Sequence, residues 1–201
     1  MQRSKNAPPP PRRRRAPHGI RFHLGVILRE VMHVAQSADE EDAERFVRAL
    51  RTAQRIYLAG VGRSGLVVKA FGQRLMHLGF DVHLADEITA PGIRRGDLLV
   101  ACSGTGKTQL TLYMARKARR IGACVATLTS GRGSALARAS DLVLVLPGLD
   151  RNGGSHPVSV QPVRSPFEQA LFLYLDAVIL VLIETLRVAP GKIARRHANL
   201  E

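Results

Sequence analysis

The sequence predicts an α/β fold, a five-stranded parallel sheet with helices on both faces, and three observations carry that prediction. Five short aliphatic runs at 55–59, 81–85, 97–102, 123–129 and 141–146 have the length and composition of strands. Apolar residues at helical spacing over 64–78, 107–121 and 134–139 fill the gaps between them. Strands separated by helices imply parallel pairing through right-handed crossovers, with ligands at the carboxyl ends of the strands. The third observation is compositional: 45% of residues are hydrophobic, yet Trp is absent and aromatics make up only 4%, which fits such a sheet better than a β-sandwich. At 201 residues the chain is long enough for one domain with a substantial core, plus a tail.

Residues 1–23 read as a disordered basic arm ahead of a single domain at 24–201. Arg3, Lys5, Arg12, Arg13, Arg14, Arg15 and Arg21 carry half of the +14 net charge with no acid among them, and Pro8 to Pro11 oppose regular structure. A solvated tail accounts for this composition better than a nucleic-acid arm does, and no amphipathic pattern supports a transit peptide. The remaining positive charge favours anionic ligands. The arm lacks the apolar stretch of a secretory leader, and Cys102 and Cys124 lie inside apolar runs, as reduced buried thiols do. The chain therefore reads as cytoplasmic.

Two helices at 24–36 and 39–52 precede the sheet, with Ser37 or Asp39 as the cap of the second. Farther on, 171–186 is nearly continuous aliphatic sequence, but Asp176 and Glu184 interrupt it short of the roughly 18 apolar residues of a membrane span. Such a helix is expected to be covered by the sheet on one side and by another subunit on the other, predicting an oligomer and no membrane contact. A glycine-rich loop at 147–165 leads into it, and a basic tail at 195–201 closes the chain.

Two loops concentrate the chemistry: Gly60-Val61-Gly62-Arg63-Ser64-Gly65 and Ser103-Gly104-Thr105-Gly106-Lys107-Thr108, each following a strand and opening a helix. Glycine lets backbone N–H groups turn onto a phosphate, the hydroxyls add donors, and the helix start is electropositive. Thr129-Ser130-Gly131 is a third small polar turn in the equivalent place. Two other readings of these loops, a nicotinamide enzyme and a P-loop ATPase, account for less of the sequence. Gly60, Gly62 and Gly65, with Asp86 and Glu87 about twenty residues on, match a dinucleotide fingerprint, but the strands stop after five and no catalytic domain follows. Gly106-Lys107-Thr108 is preceded by Ala101 where a P-loop has glycine, and the strand that should carry a magnesium-holding acid ends in Pro147-Gly148.

Taken in order, Ala59 to Gly65, Arg74-Leu75-Met76-His77-Leu78-Gly79-Phe80, Ser103 to Thr108, Phe167-Glu168-Gln169 and Arg196-His197-Ala198-Asn199-Leu200-Glu201 carry a resemblance. The chain resembles the sugar isomerase (SIS) domain family, and within it the 6-phospho-3-hexuloisomerases, from about residue 24 to the end. The resemblance implies a flavodoxin-like αβα sandwich, a homotetramer with sites between subunits, a sugar-phosphate substrate, and no metal or organic cofactor. It also implies isomerisation of 3-hexulose 6-phosphate to fructose 6-phosphate, downstream of formaldehyde addition to ribulose 5-phosphate in the ribulose monophosphate pathway. A second reading is a non-catalytic SIS module that senses a sugar phosphate, with the basic arm on nucleic acid. The chain departs from the family at Lys107, where glutamate is usual, and at Val163-Arg164-Ser165-Pro166, which replaces a glycine-rich approach to Phe167.

Moving a ketone from C3 to C2 needs a base, and Glu168 follows Ser165-Pro166 at a helix start, where neighbours such as Leu171 would desolvate it and raise its pKa. The residues alone equally allow an acid that merely complements the helix dipole; the resemblance places the catalytic base here. His197 is the candidate for moving a proton between the two oxygens, against an exposed tail histidine. In related isomerases a histidine in this position reaches a neighbouring subunit's site. For phosphate, the candidates are the hydroxyls of Ser64, Ser103, Thr105 and Thr108 and the N–H groups of Gly62, Gly104 and Gly106, with Arg63 and Lys107 adding charge. Ser64 and Thr108 also suit helix caps. Glu87 is the candidate to replace the carboxylate lost at Lys107, while His77 and His83 read as structural or solvent-facing.

Overall fold

The computed structural model describes residues 18–148, 159–162, 165–197 and 199. Most of the basic arm and of the 147–165 loop therefore lie outside the described residues, as do Val163 and Arg164. Five parallel strands, β1 (Ile56–Gly60), β2 (Val82–Leu84), β3 (Leu98–Cys102), β4 (Cys124–Thr129) and β5 (Leu142–Val145), form one sheet in the order β2-β1-β3-β4-β5. Gly60 pairs with Cys102 and Cys102 with Leu128, so the three central strands end level with one another.

Alternation along each strand decides which face a side chain serves. On one face Leu58, Val100, Leu128 and Leu144 meet α1 (Ile20–Ala35), α2 (Glu40–Thr52), α3 (Gly62–Leu78) and α6 (Ser165–Leu186) through Val34, Phe46, Leu50, Leu75, Phe167 and Leu175. On the other, Tyr57, Leu99 and Val125 meet α4 (Gln109–Ile121) and α5 (Ala135–Arg138) through Leu112, Ala115 and Leu136. α6 is long and apolar enough to cross a membrane; here its Phe167-Leu171-Leu175-Leu182 face packs on the sheet while Phe172, Leu173, Leu180 and Val181 remain exposed.

Several boundaries differ from expectation. α1 begins at Ile20, inside the segment assigned to the arm, because Ile20, Leu24, Ile27, Val31 and Val34 continue one helical stripe backwards. A seventh helix, α7 (Pro190–Arg195), opens with proline in its first turn, within what reads as loop and basic tail. The β2–β3 connection is not helical. Its turns are tied to β1 by Arg55, which donates to the Asp97 carboxylate at 2.9 and 3.2 Å and to the Gly92 carbonyl at 3.1 Å, while the Tyr57 hydroxyl reaches the Pro91 carbonyl at 3.0 Å. The Asp97 bond raises the Arg55 pKa. Asp39 caps α2 by accepting from the Asp42 N–H at 3.0 Å, whereas the Ser37 hydroxyl donates back to the His33 carbonyl.

Glu30 of α1 holds the segment that precedes α6: its carboxylate accepts from the Ser159 hydroxyl at 2.8 Å, the Val160 N–H at 3.2 Å and the Gln161 amide at 2.8 Å. Burial pushes the Cys102 thiol up to about 12, which keeps it protonated near neutrality, whereas Cys124 is only half-buried. Leu128→Ala, in the middle of the sheet, is expected to cost about 3 kcal/mol of stability, measured as a shift in urea unfolding midpoint at unchanged slope.

Candidate active site

The strand order places a topological switch between β1 and β3, where the chain leaves β1 for α3 on one face and β3 for α4 on the opposite face. Both candidate loops open onto that crevice. In the first, α3 starts hard against the end of β1: a Cβ on Gly65 would lie 2.8 Å from the Gly60 carbonyl oxygen. The helix starts without a side-chain cap, since Val61 occupies the cap position and the earliest helical bond runs from the Gly65 N–H to the Val61 carbonyl. The N–H groups of Gly62, Arg63 and Ser64 therefore have no acceptor within the helix. Ser64, 7% exposed, lines the crevice rather than capping.

The second loop is organised by Ser103, 4% exposed. Its Oγ lies 2.9 Å from the Thr108 hydroxyl and 3.4 Å from that of Thr105, and it accepts the Gly106 N–H at 3.1 Å. Thr105 in turn accepts the Lys107 N–H at 3.0 Å. Thr108 stands at the cap position of α4, yet its hydroxyl is turned to Ser103 instead of the helix. The Gly106 N–H, expected to serve a phosphate, is directed at Ser103 Oγ and the Ser103 carbonyl, because the chain passes through φ +57° at Gly106. The N–H groups of Gly104 and Thr105 have no acceptor among the described residues. The third turn braces this loop from behind: the Ser130 N–H donates to the Gly104 carbonyl at 3.2 Å.

Between the loops lies a cavity of about 130 Å³ lined by the Ser64, Ser103, Thr105 and Thr108 hydroxyls and walled by Phe167 and Glu168. Glu168 sits in the first turn of α6, its side chain 15% exposed, and its carboxylate accepts from Arg63 Nε; a charge partner, not only aliphatic side chains, surrounds it. Phe167 seals the same wall, so closely that a Cβ on Gly104 would lie 2.9 Å from its ring. On the far side of the Arg63–Glu168 pair, α1, α3 and α6 enclose a mainly apolar groove of about 400 Å³ that includes Leu28, Leu66 and Phe172.

Other candidates stand apart. Lys107 is exposed and outside the cavity lining, and Asp86 and Glu87 are exposed in the turn after the edge strand β2. His197 stacks on the buried His77 at 5.2 Å, at the carboxyl end of α3, so within one chain it lies about 20 Å along that helix from Ser64. His83 lies 2.8 Å from the Asp81 carboxylate. The Phe167–Gly104 contact and the pairing of Arg63 with Glu168 escape sequence reasoning, since each joins positions far apart with no local pattern linking them. Gly104→Ala is expected to push the Phe167 ring and weaken inorganic phosphate binding about tenfold, read by calorimetric titration with far-UV circular dichroism unchanged.

Comparison with known proteins agrees with this geometry. The SIS domain family model matches residues 49–163. The 3-hexulose-6-phosphate isomerase of Bacillus subtilis (strain 168) is 38% identical over 181 residues, covering 89% of this chain and 97% of that protein. The protein of the same name from Mycobacterium gastri is 36% identical, covering 89% and 90% respectively. Among solved structures, one from Methanococcus jannaschii, described as inferring a molecular function of 3-hexulose-6-phosphate isomerase, superposes with a TM-score of 0.78 at 28% identity over 90% of this chain and 99% of that one. With its two-loop crevice on a 2-1-3-4-5 parallel sheet, the chain belongs to the SIS domain family.

Proposed function

We propose that this chain is a sugar-phosphate isomerase that converts 3-hexulose 6-phosphate to fructose 6-phosphate. One observation carries the reading: a carboxylate, Glu168, stands in the wall of a hydroxyl-lined cavity at the sheet's switch point, in a chain 36% and 38% identical to two proteins named 3-hexulose-6-phosphate isomerase. The cavity suits a phosphate better than a whole hexulose. Four hydroxyls and the open N–H groups of α3's first turn and of Gly104 and Thr105 supply donors, with no cationic side chain in the lining among the described residues.

With the phosphate so held, the sugar carbons lie along the wall that carries Glu168. The carboxylate takes the proton from C2, electrons move into a C2–C3 double bond, and the C3 carbonyl becomes the second oxygen of an enediol. Return of the proton to C3, with loss of the O2 hydroxyl proton, leaves the ketone at C2. Both hydrogens stay with the substrate, so the conversion is redox-neutral. The O2 proton must reach O3, and His197 is assigned this transfer from a neighbouring subunit of a homotetramer, since within its own chain it lies at the other end of α3. Exposed Leu24, Leu28 and Met32 on α1 and Phe172 and Leu173 on α6 supply apolar surface for such packing. In cells the substrate would come from an aldol addition of formaldehyde to ribulose 5-phosphate, the first step of the ribulose monophosphate pathway.

Supplying ribulose 5-phosphate, formaldehyde and a hexulose-phosphate synthase tests the reading, with fructose 6-phosphate as the expected product; none from the wild-type chain would overturn it. Glu168→Gln keeps the shape and removes the base, so turnover is expected to fall about 10²–10⁴-fold with phosphate affinity retained or raised. Deleting residues 197–201 is expected to abolish turnover while circular dichroism stays that of the folded core; retained activity would remove His197 from the mechanism.

A further inference from the structure

We propose that Arg63 is exchanged between two anions: it holds Glu168 in the empty site and passes to the ligand's phosphate in the filled one, so that substrate binding itself uncovers the base. This deepens the isomerase reading and rests on it for the role of Glu168.

Four observations meet at this pair. Arg63 lies in the first turn of α3 and Glu168 in the first turn of α6, so their contact spans the crevice between two helix starts. The partners are unequal: the Arg63 side chain is 63% exposed and that of Glu168 is 15% exposed. A pair with one member largely in solvent contributes little to stability, and the arginine is the partner that can leave cheaply. The hydroxyl-lined cavity of about 130 Å³ and the groove of about 400 Å³ share Glu168 as a wall, and Arg63 stands on the groove side, so the pair forms the partition between them. Finally, among the described residues the cavity lining has no lysine or arginine, and Lys107 is exposed and outside it.

These facts set an electrostatic problem that, among the described residues, Arg63 is placed to solve. A phosphate entering the cavity meets the Glu168 carboxylate in its wall, and like charges at that separation repel. Arg63 is the cation already at the boundary. Only its Nε is engaged with Glu168, and a guanidinium carries four further N–H donors on its two terminal nitrogens, suited to a phosphate in bidentate fashion. As the guanidinium swings to the phosphate, the Glu168 oxygen gives up an N–H and regains a free lone pair for the C2 proton. Moving the side chain also opens the partition, which gives the sugar room beyond a cavity sized for its phosphate.

The test uses the full chain, with Arg63 altered in a background where positioning the base no longer matters. In Glu168→Gln the arginine is free for the ligand, so adding Arg63→Gln is expected to weaken binding of inorganic phosphate and of fructose 6-phosphate tenfold or more by calorimetric titration. Arg63→Lys in that background should recover only part of the affinity. If the double variant binds both ligands within about twofold of Glu168→Gln, Arg63 does not reach the phosphate and the proposal fails, whatever the wild-type activity. In the chain that retains Glu168, Arg63→Gln is expected to raise KM tenfold or more, with the loss in KM exceeding that in kcat. A loss confined to kcat would show instead that Arg63 stays on Glu168 through the reaction. Because inorganic phosphate binding needs no turnover, absence of isomerase activity in the wild-type chain is read separately, against the function and not against the exchange.

Discussion

The parting of the chain at the β1–β3 pair is the constraint on which the site depends. Right-handed crossovers send α3 to one face of the sheet and α4 to the other, so neither loop can close over the space between them. Because Gly60 and Cys102 are partners in register, both loops leave the sheet at the same height. Two helix starts thereby face one crevice, each with N–H groups that the helix cannot use. Close packing around the crevice keeps it in shape: α3 is seated on β1 through the contact of Gly65 with Gly60, and α6 is seated against the second loop through Phe167.

The crevice attracts an anion mostly through dipoles. Ser103 is buried, but its hydroxyl is satisfied by Thr108 and by the Gly106 N–H, so the loop is held in shape before any ligand arrives. A shape fixed in advance costs less to bind to than one that must be ordered. Among the described residues, formal charge enters at one wall, where Arg63 pairs with Glu168. The strongly positive composition of the chain thus says little about this cavity; Lys107, adjacent in sequence to Thr108 of the lining, is exposed and outside it.

The sheet and its loops were legible in the sequence because their causes are local. Strand-length aliphatic runs, helical spacing and glycine at strand ends each act within a few residues, and all five strands stand where those signals put them. The α1 start was obscured because Arg21 and His23, lying between the stripe positions Ile20 and Leu24, extend the look of the arm. The direction of the Gly106 N–H was not readable, since a glycine-rich loop can turn its donors inward or outward and only the position of Ser103 decides which. Ser64, Ser103, Thr105, Thr108 and Glu168, read from the sequence as site candidates, line one cavity. The pairing of Arg63 with Glu168 was not, for it depends on how α3 and α6 dock, a matter of core packing that leaves no trace at either residue. His197 could be placed only at the end of the chain, with no sign that it would stack on His77.

The contact between Phe167 and Gly104 also limits how this protein can diversify. A duplicated copy that acquired any larger residue at 104 would displace the ring, and with it the adjoining carboxylate on the same turn of α6. Mutational drift toward new sugars is therefore channelled away from this spot. A more tolerant position is Leu66, exposed on the open groove, where a lineage can swap the side chain without dislodging the Glu168 carboxylate.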